Sequence, residues 1–208
     1  MTTTSSTAPS TGSLSAADLD SPAQRERHAR ILDATVTLAR EGGFDAVQMR
    51  AVAERADVAL GTLYRYFPSK VHLLVSALAR EFERADAGFR GLGAIPGATP
   101  ADRVGWVMRR TTRGLHDDPR LIEALTRAFV SADASVAAEI RVVETLLAGI
   151  LTRAMQPRSP RSPADDDAIA RVIGDVWLAA LVAWVTGRSS AAETAAHLET
   201  AVQLLLRE

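Results

Sequence analysis

Residues 47–70 constrain this chain more than any other stretch. They read as two short helices, a tight turn and the start of a third helix. On the first short helix Val52, Ala53 and Ala56 face inward, and Asp57 is placed to cap the second. On that second helix, Leu63 and Phe67 stand four apart, the spacing that sets both on one face and anchors the helix to a core. Thr62, Tyr64, Arg65 and Tyr66 are left pointing away from that core or along its edge. A hydroxyl, two phenols and a guanidinium on an outer face suit a polar, anionic partner. The major groove of DNA admits one helix and presents such a surface.

The charge balance limits how such a partner is held. Formal net charge is −1, so the molecule as a whole is not a non-specific polyanion binder, and any nucleic-acid contact depends on local placement. Over residues 21–70, eight Arg or Lys stand against six Asp or Glu, and Lys70 is the only lysine in the protein. The chain has no cysteine, which removes disulfides, zinc–thiolate sites and thiol nucleophiles and fits a cytoplasmic protein. Its 208 residues, 47% of them hydrophobic, are enough for a sizeable helical core without cross-links.

Taken in order, residues 1–20 read as a disordered tail, rich in Ser and Thr and without Lys or Arg. Ser21, Pro22 and Gln24 form an N-terminal capping signature. The helix they open buries Ile31, Leu32, Thr35, Leu38 and Ala39 and ends at Glu41-Gly42-Gly43. After the two short helices, Ser69 caps a fourth carrying Leu73, Leu74, Ala77, Leu78 and Phe82. Further helices start at Thr99-Pro100, at Asp118-Pro119 and near Ala134. A proline-rich break covers 156–164. Asp165, Asp166 and Asp167 then complement the macrodipole of the next helix. No stretch reaches the uninterrupted apolar length of a membrane helix. The last two helices, one of them from Ala168 to Val185, carry surplus apolar surface. They predict an isologous four-helix homodimer contact through Ile173, Val176, Leu181, Trp184, Leu198, Val202 and Leu205.

Gly61 through Lys70, with its aromatic pair, closing Phe67 and Lys70 opening the fourth helix, resembles the hallmark segment of the TetR family of bacterial repressors. That resemblance implies an all-α fold. Residues 21–70 form a helix-turn-helix DNA-binding domain, and residues 71–208 a ligand-binding and dimerisation domain. It implies that Tyr64 and Lys70 hold phosphates, that Leu60, Thr62 and Arg65 lie at or near base edges, and that Gly61 allows close approach to the backbone. Arg50 matches another contact position. Met49 departs from the small hydroxyl residue usual before it, and Gln48 stands in for that contact. Segments around Arg30–Thr35, Ala46–Ala53, Lys70–Leu78, Asp175–Leu178 and Leu181–Trp184 are similar to a narrower group, the actinobacterial repressors of cholesterol catabolism. That likeness implies a dimeric repressor released from double-stranded operator DNA by a steroid coenzyme A thioester. A regulator answering to a fatty acyl-CoA or another hydrophobic small molecule is the alternative.

An effector of that kind needs an apolar cavity between helices. Trp106, Met108, Leu125, Phe129, Leu147 and Trp177 are the candidate walls, set against the ordinary expectation that each is plain core. Gly105, Gly149 and Gly174 fall inside predicted helices and either leave space or allow close crossing. Catalysis is disfavoured: the four histidines are scattered, and no metal-binding, nucleotide-binding or nucleophile motif is present. No catalytic residue, cofactor or metal ligand is assigned.

Overall fold

The computed structural model describes residues 21–156 and 161–207, with the side chains of 113–116 left undescribed. The tail over 1–20 and the middle of the proline-rich break lie outside these residues. The described chain is helical: α1 (Pro22–Ala46), α2 (Met49–Arg55), α3 (Leu60–Tyr66), α4 (Lys70–Arg90), α5 (Pro100–His116), α6 (Pro119–Val130), α7 (Ala137–Met155), α8 (Pro163–Val185) and α9 (Ala191–Leu205).

Helix starts obey the capping chemistry. Ser21 Oγ accepts from the Gln24 N–H at 3.2 Å while Gln24 Oε1 accepts from the Ser21 N–H at 2.9 Å, and Pro22 occupies the first turn. Ser190 and Glu193 repeat the device on α9, and Thr99 with Asp102 does so on α5. The acidic trio disperses at the start of α8. Asp165 completes the Ser162 cap, buried Asp166 accepts from Gln156, and Asp167 accepts from Thr152. Helix α7 starts three residues later than expected. Ala134–Val136 form a single 3-10 turn, with Asp133 accepting from the Ser135 N–H at 2.9 Å.

Helix α1 breaks where expected: Gly42 and Gly43 leave helical geometry, Gly43 with φ +68°, before a further turn that runs to Ala46. One local expectation is corrected. Asp57 does not cap α3, whose N-cap is Ala59 with no side-chain hydrogen bond. Asp57 is instead the only non-glycine residue with positive φ (+51°) among those described. Asp tolerates that left-handed conformation, so it supplies the sharp turn between α2 and α3.

Helices α1–α3 close over Ile31, Val52, Leu63 and Phe67, all fully buried. The remaining helices form a body in which α4 packs on α7, α7 on α8, α8 on α9, and α5 across α7 and α9. The most extensive contact between any two helices joins α1 to α6, across the boundary of reader and body. Helix α8 is by length and mean hydropathy apolar enough to cross a bilayer, but Arg171 and Asp175 interrupt it, so the expectation of no uninterrupted apolar span of that length stands. The helix lies on α6, α7 and α9; only 28% of its most apolar window is fully buried, with Val176, Leu178, Val182, Trp184 and Val185 half-buried and Val172 exposed.

Candidate DNA interface and effector cavity

The reader presents α3 to solvent along one face. Leu63 at 0% and Phe67 at 0% exposure fasten that helix from below, so Tyr64, 47% exposed, and Arg65 stand outward beside half-buried Leu60 and Thr62. Gln48 and Arg50 are exposed at the start of α2. Arg50 and Arg65 form no ion pair among the described residues, whereas Arg40, Arg55, Arg80 and Arg84 are each tied to a carboxylate. Unpaired guanidiniums keep their charge for an external phosphate or base edge. At Gly61 an added Cβ would meet nothing within 4 Å. A glycine inside a helix costs about 1 kcal/mol relative to alanine, and here no internal contact requires it.

Tyr66 departs from the expected set. It is 1% exposed, with ring centroids 6.2 Å from His28 and 6.4 Å from Phe67. Its ring cements α3 to α1 and is not available to DNA. Lys70 is half-buried, its Nζ 3.8 Å from the Phe44 ring centroid. Burial holds its ammonium below the usual lysine pKa, Arg127 pushes the same way, and Asp45 and Glu123 oppose them.

In the body, a cavity of about 920 Å³ opens between α4, α5, α6, α7 and α8. Of the expected walls, Leu125, Phe129, Leu147 and Trp177 line it. Trp106 and Met108 do not. Trp106 meets Phe89 edge-on at 6.0 Å with the Arg110 guanidinium 5.7 Å from its ring, and Met108 is buried in the core. Gly174 is the expected glycine that borders the space; Gly88 on α4 does so as well, unforeseen. Phe82 is a further wall, edge-on to Trp177 at 5.8 Å. The lining also holds Arg110 and Arg171, which have no ion-pair partner among the described residues, together with Asp117, Glu144 and Asp175.

Helix α6 belongs to both sites. Its inner face carries Ile122, Leu125, Thr126 and Phe129 to the cavity. Its outer edge grips the break in α1. Glu123 Oε2 accepts from the Phe44 N–H at 2.9 Å, Arg120 donates to the Glu41 carbonyl, and Asp118 pairs with Arg40 at 2.9 Å. Arg127 lies 4.6 Å from the Phe44 ring that also carries Lys70.

Four residues assigned to a dimer face, Ile173, Leu181, Leu198 and Val202, are buried inside the protomer and have no surface to give. Val176, Trp184 and Leu205 are half-buried, and Val172 and Leu204 are exposed at 43% and 56%.

Residues 31–77 match the bacterial regulatory proteins of the tetR family, and residues 97–205 match the tetracyclin repressor-like C-terminal domain. The HTH-type transcriptional repressor KstR of Rhodococcus jostii is 57% identical over 209 residues, spanning 99% of this chain and 96% of the relative. KstR of Mycobacterium tuberculosis is 54% identical over 193 residues, 93% of this chain and 86% of the relative. A crystal structure of a TetR transcriptional regulator from Rhodococcus sp. RHA1 superposes with a TM-score of 0.80 at 33% identity, over 89% of this chain and 98% of that one. Thermus thermophilus FadR, solved in complex with lauroyl-CoA, shares the fold at a TM-score of 0.66 and 22% identity, over 86% and 93% of the two chains.

Proposed function

This chain belongs to the TetR family of bacterial transcriptional regulators, and on that premise we propose that it is a cytoplasmic repressor that binds an inverted-repeat operator as a homodimer and is released by a small molecule. Residues 21–70 read DNA; residues 71–208 hold the effector and the partner protomer. The observation that carries the reading is the outer face of α3, where Thr62, Tyr64 and unpaired Arg65 flank a glycine that the protein's own packing does not need. Arg65 reaches base edges and contributes sequence discrimination, while Tyr64 and Lys70 hold phosphates and fix register.

Two readers must be held at the spacing of successive major grooves. The partly covered face of α8, with exposed Val172 and half-buried Val176, and the edge of α9 at exposed Leu204 and half-buried Leu205 supply the contact with a second copy. This accounts for a helix apolar enough for a membrane in a body that packs like a water-soluble one.

The cavity takes the effector. Its volume falls within the roughly 300–1,000 Å³ typical of small-molecule sites, and its aromatic and aliphatic walls suit an apolar body. The likeness to repressors of cholesterol catabolism, among relatives called KstR, makes a steroid coenzyme A thioester the first candidate. Arg110 and Arg171 are the cations available to its phosphates. A fatty acyl-CoA is the second, because FadR of the same fold was solved with lauroyl-CoA. Either ligand releases DNA only through a difference in affinity between the binding and released forms. Helix α6, with the cavity on one face and α1 on the other, carries that difference to the reader alongside α4.

The test uses inverted-repeat DNA selected by the wild-type chain from a random pool. The Tyr64→Ala/Arg65→Ala protein loses specific binding in a gel-shift titration while light scattering still reports a dimer. Retained specific binding overturns the assignment of α3. A thermal-shift panel of steroid CoA thioesters and stearoyl-CoA separates the two effector readings.

A further inference from the structure

We propose that His72 is a positioning residue for operator binding, holding the first turn of α4, and with it Lys70, against the 3-10 turn Ala134–Val136 of the body. The inference rests on the reading of residues 21–70 as the DNA-binding domain. His72 is 3% exposed in the turn that Lys70 opens. Packing alone would be served by an aliphatic side chain, as at fully buried Leu73 and Leu74 beside it. A buried imidazole is costly unless its nitrogens are bonded, and here both are. Nε2 lies 3.2 Å from the Ser135 carbonyl oxygen, and Nδ1 lies 2.9 Å from Ser69 Oγ.

The partners set the direction of each bond. A carbonyl only accepts, so Nε2 carries the proton and donates to Ser135. Nδ1 is then a lone pair, and the Ser69 hydroxyl donates to it. The same Ser69 oxygen accepts from the His72 N–H at 3.4 Å as the N-cap of α4. A cap held in this way fixes where the helix begins, and it begins at Lys70. The other end is held as well. Asp133 accepts from the Ser135 N–H at 2.9 Å and from its hydroxyl at 2.6 Å, and Val136 is buried. Lys70 forms no ion pair among the described residues, so its ammonium is placed by the backbone it springs from and by the Phe44 ring. The His72 link ties that backbone to the body at a point separate from the Glu123 bond to Phe44.

Gel-shift titration of the full chain, on inverted-repeat DNA selected by wild type, tests this. His72→Phe keeps a ring in the core and removes both bonds. Ser69→Gly removes the hydroxyl at a cap position where glycine costs the helix little. Each is expected to lower operator affinity by about three- to tenfold, the measure of one neutral hydrogen bond. Each also reduces the slope of log affinity against log salt by about one, as loss of a phosphate contact does. Because the two residues act in series, the double variant binds no more weakly than the weaker single one. Ser69→Thr, which keeps the hydroxyl, restores affinity and slope. Nitrogen-15 spectra of wild type show the His72 proton on Nε2. Wild-type affinity in His72→Phe, losses that multiply in the double variant, or a proton on Nδ1 overturns the proposal while leaving the DNA-binding domain standing. Where His72→Phe does not fold, the glycine and threonine variants at Ser69 decide together with the spectra. If wild type selects no DNA, the DNA-binding reading falls and the proposal with it.

Discussion

In the reader, Leu63, Tyr66 and Phe67 leave no space inside, and Thr62, Tyr64 and Arg65 face outward. In the body, Phe82, Leu125, Phe129 and Trp177 stand around a void of about 920 Å³. A surface that reads an external shape must keep its own shape, so its core is closed. A domain that changes with its ligand must leave part of its packing to that ligand. The largest expected effect comes from this contrast. Leu63→Ala removes a side chain from a filled interior and should cost about 2–5 kcal/mol in chemical denaturation. Leu147→Ala, at a wall that already borders space, should cost less than about 1.5 kcal/mol in the free protein. Equal costs would break the contrast.

Two glycines sharpen it. At Gly43 the backbone is left-handed, and an added Cβ would stand 2.7 Å from Glu123 Oε2. Gly43→Ala should therefore destabilise by roughly 1–2 kcal/mol. Gly61→Ala meets nothing inside the protein and should raise stability by up to about 1 kcal/mol. It should nonetheless weaken operator binding by about tenfold, the equivalent of ~1.4 kcal/mol, if α3 meets DNA as proposed and the new methyl stands in the way of its backbone. Thermal melts beside gel-shift titrations separate the two outcomes. Unchanged operator affinity in Gly61→Ala would move the DNA contact away from the start of α3.

Glu123 tests how the two regions communicate. Glu123→Ala leaves the Phe44 N–H without its acceptor and loosens α6 from the break in α1. The effector should bind as before, while the ratio of operator affinities with and without saturating effector changes by about 0.5–2 kcal/mol of coupling. An unaltered ratio would assign the transmission to α4 alone.

Most of the reader was legible in the sequence because its signals are local. Caps, glycines and the Leu63–Phe67 spacing each act within a turn or two. The failures there are positions that a distant residue decides. Tyr66 is turned inward by His28, far back on α1, and Asp57 looks like a cap until the turn demands a left-handed residue. The body was legible as helices and only partly as sites. A void is an absence of atoms, and no residue type announces it. Leu125, Phe129, Leu147 and Trp177 border it, while Trp106 and Met108, no less apolar, are turned into the packing around it. The same limit governs the dimer face. Helix α8 is apolar on more than one side, so periodicity alone does not separate Ile173, which is fully buried, from Val172, which is left exposed.

Lys70 gives the smallest effect and the one that joins the regions. It opens α4, rests on Phe44 and is assigned a phosphate. Burial lowers its pKa below 10.5, so the charged form is disfavoured in the folded chain relative to the unfolded one. The resulting penalty on folding is present below the lowered value. It is relieved as pH rises from there towards 10.5, so this group's contribution to stability improves slightly with alkalinity. Operator binding has the opposite sign, because it needs the ammonium that the same rise in pH removes. As pH rises towards 10.5, operator affinity should fall by at most about two- to threefold, the size of a contact worth under about 1 kcal/mol at a solvated surface. Lys70→Arg keeps its charge throughout that range and should flatten the profile. If the arginine protein shows the same decline as wild type, the titrating group lies elsewhere, and Lys70 belongs to the joint between α1 and α4 and not to the DNA contact.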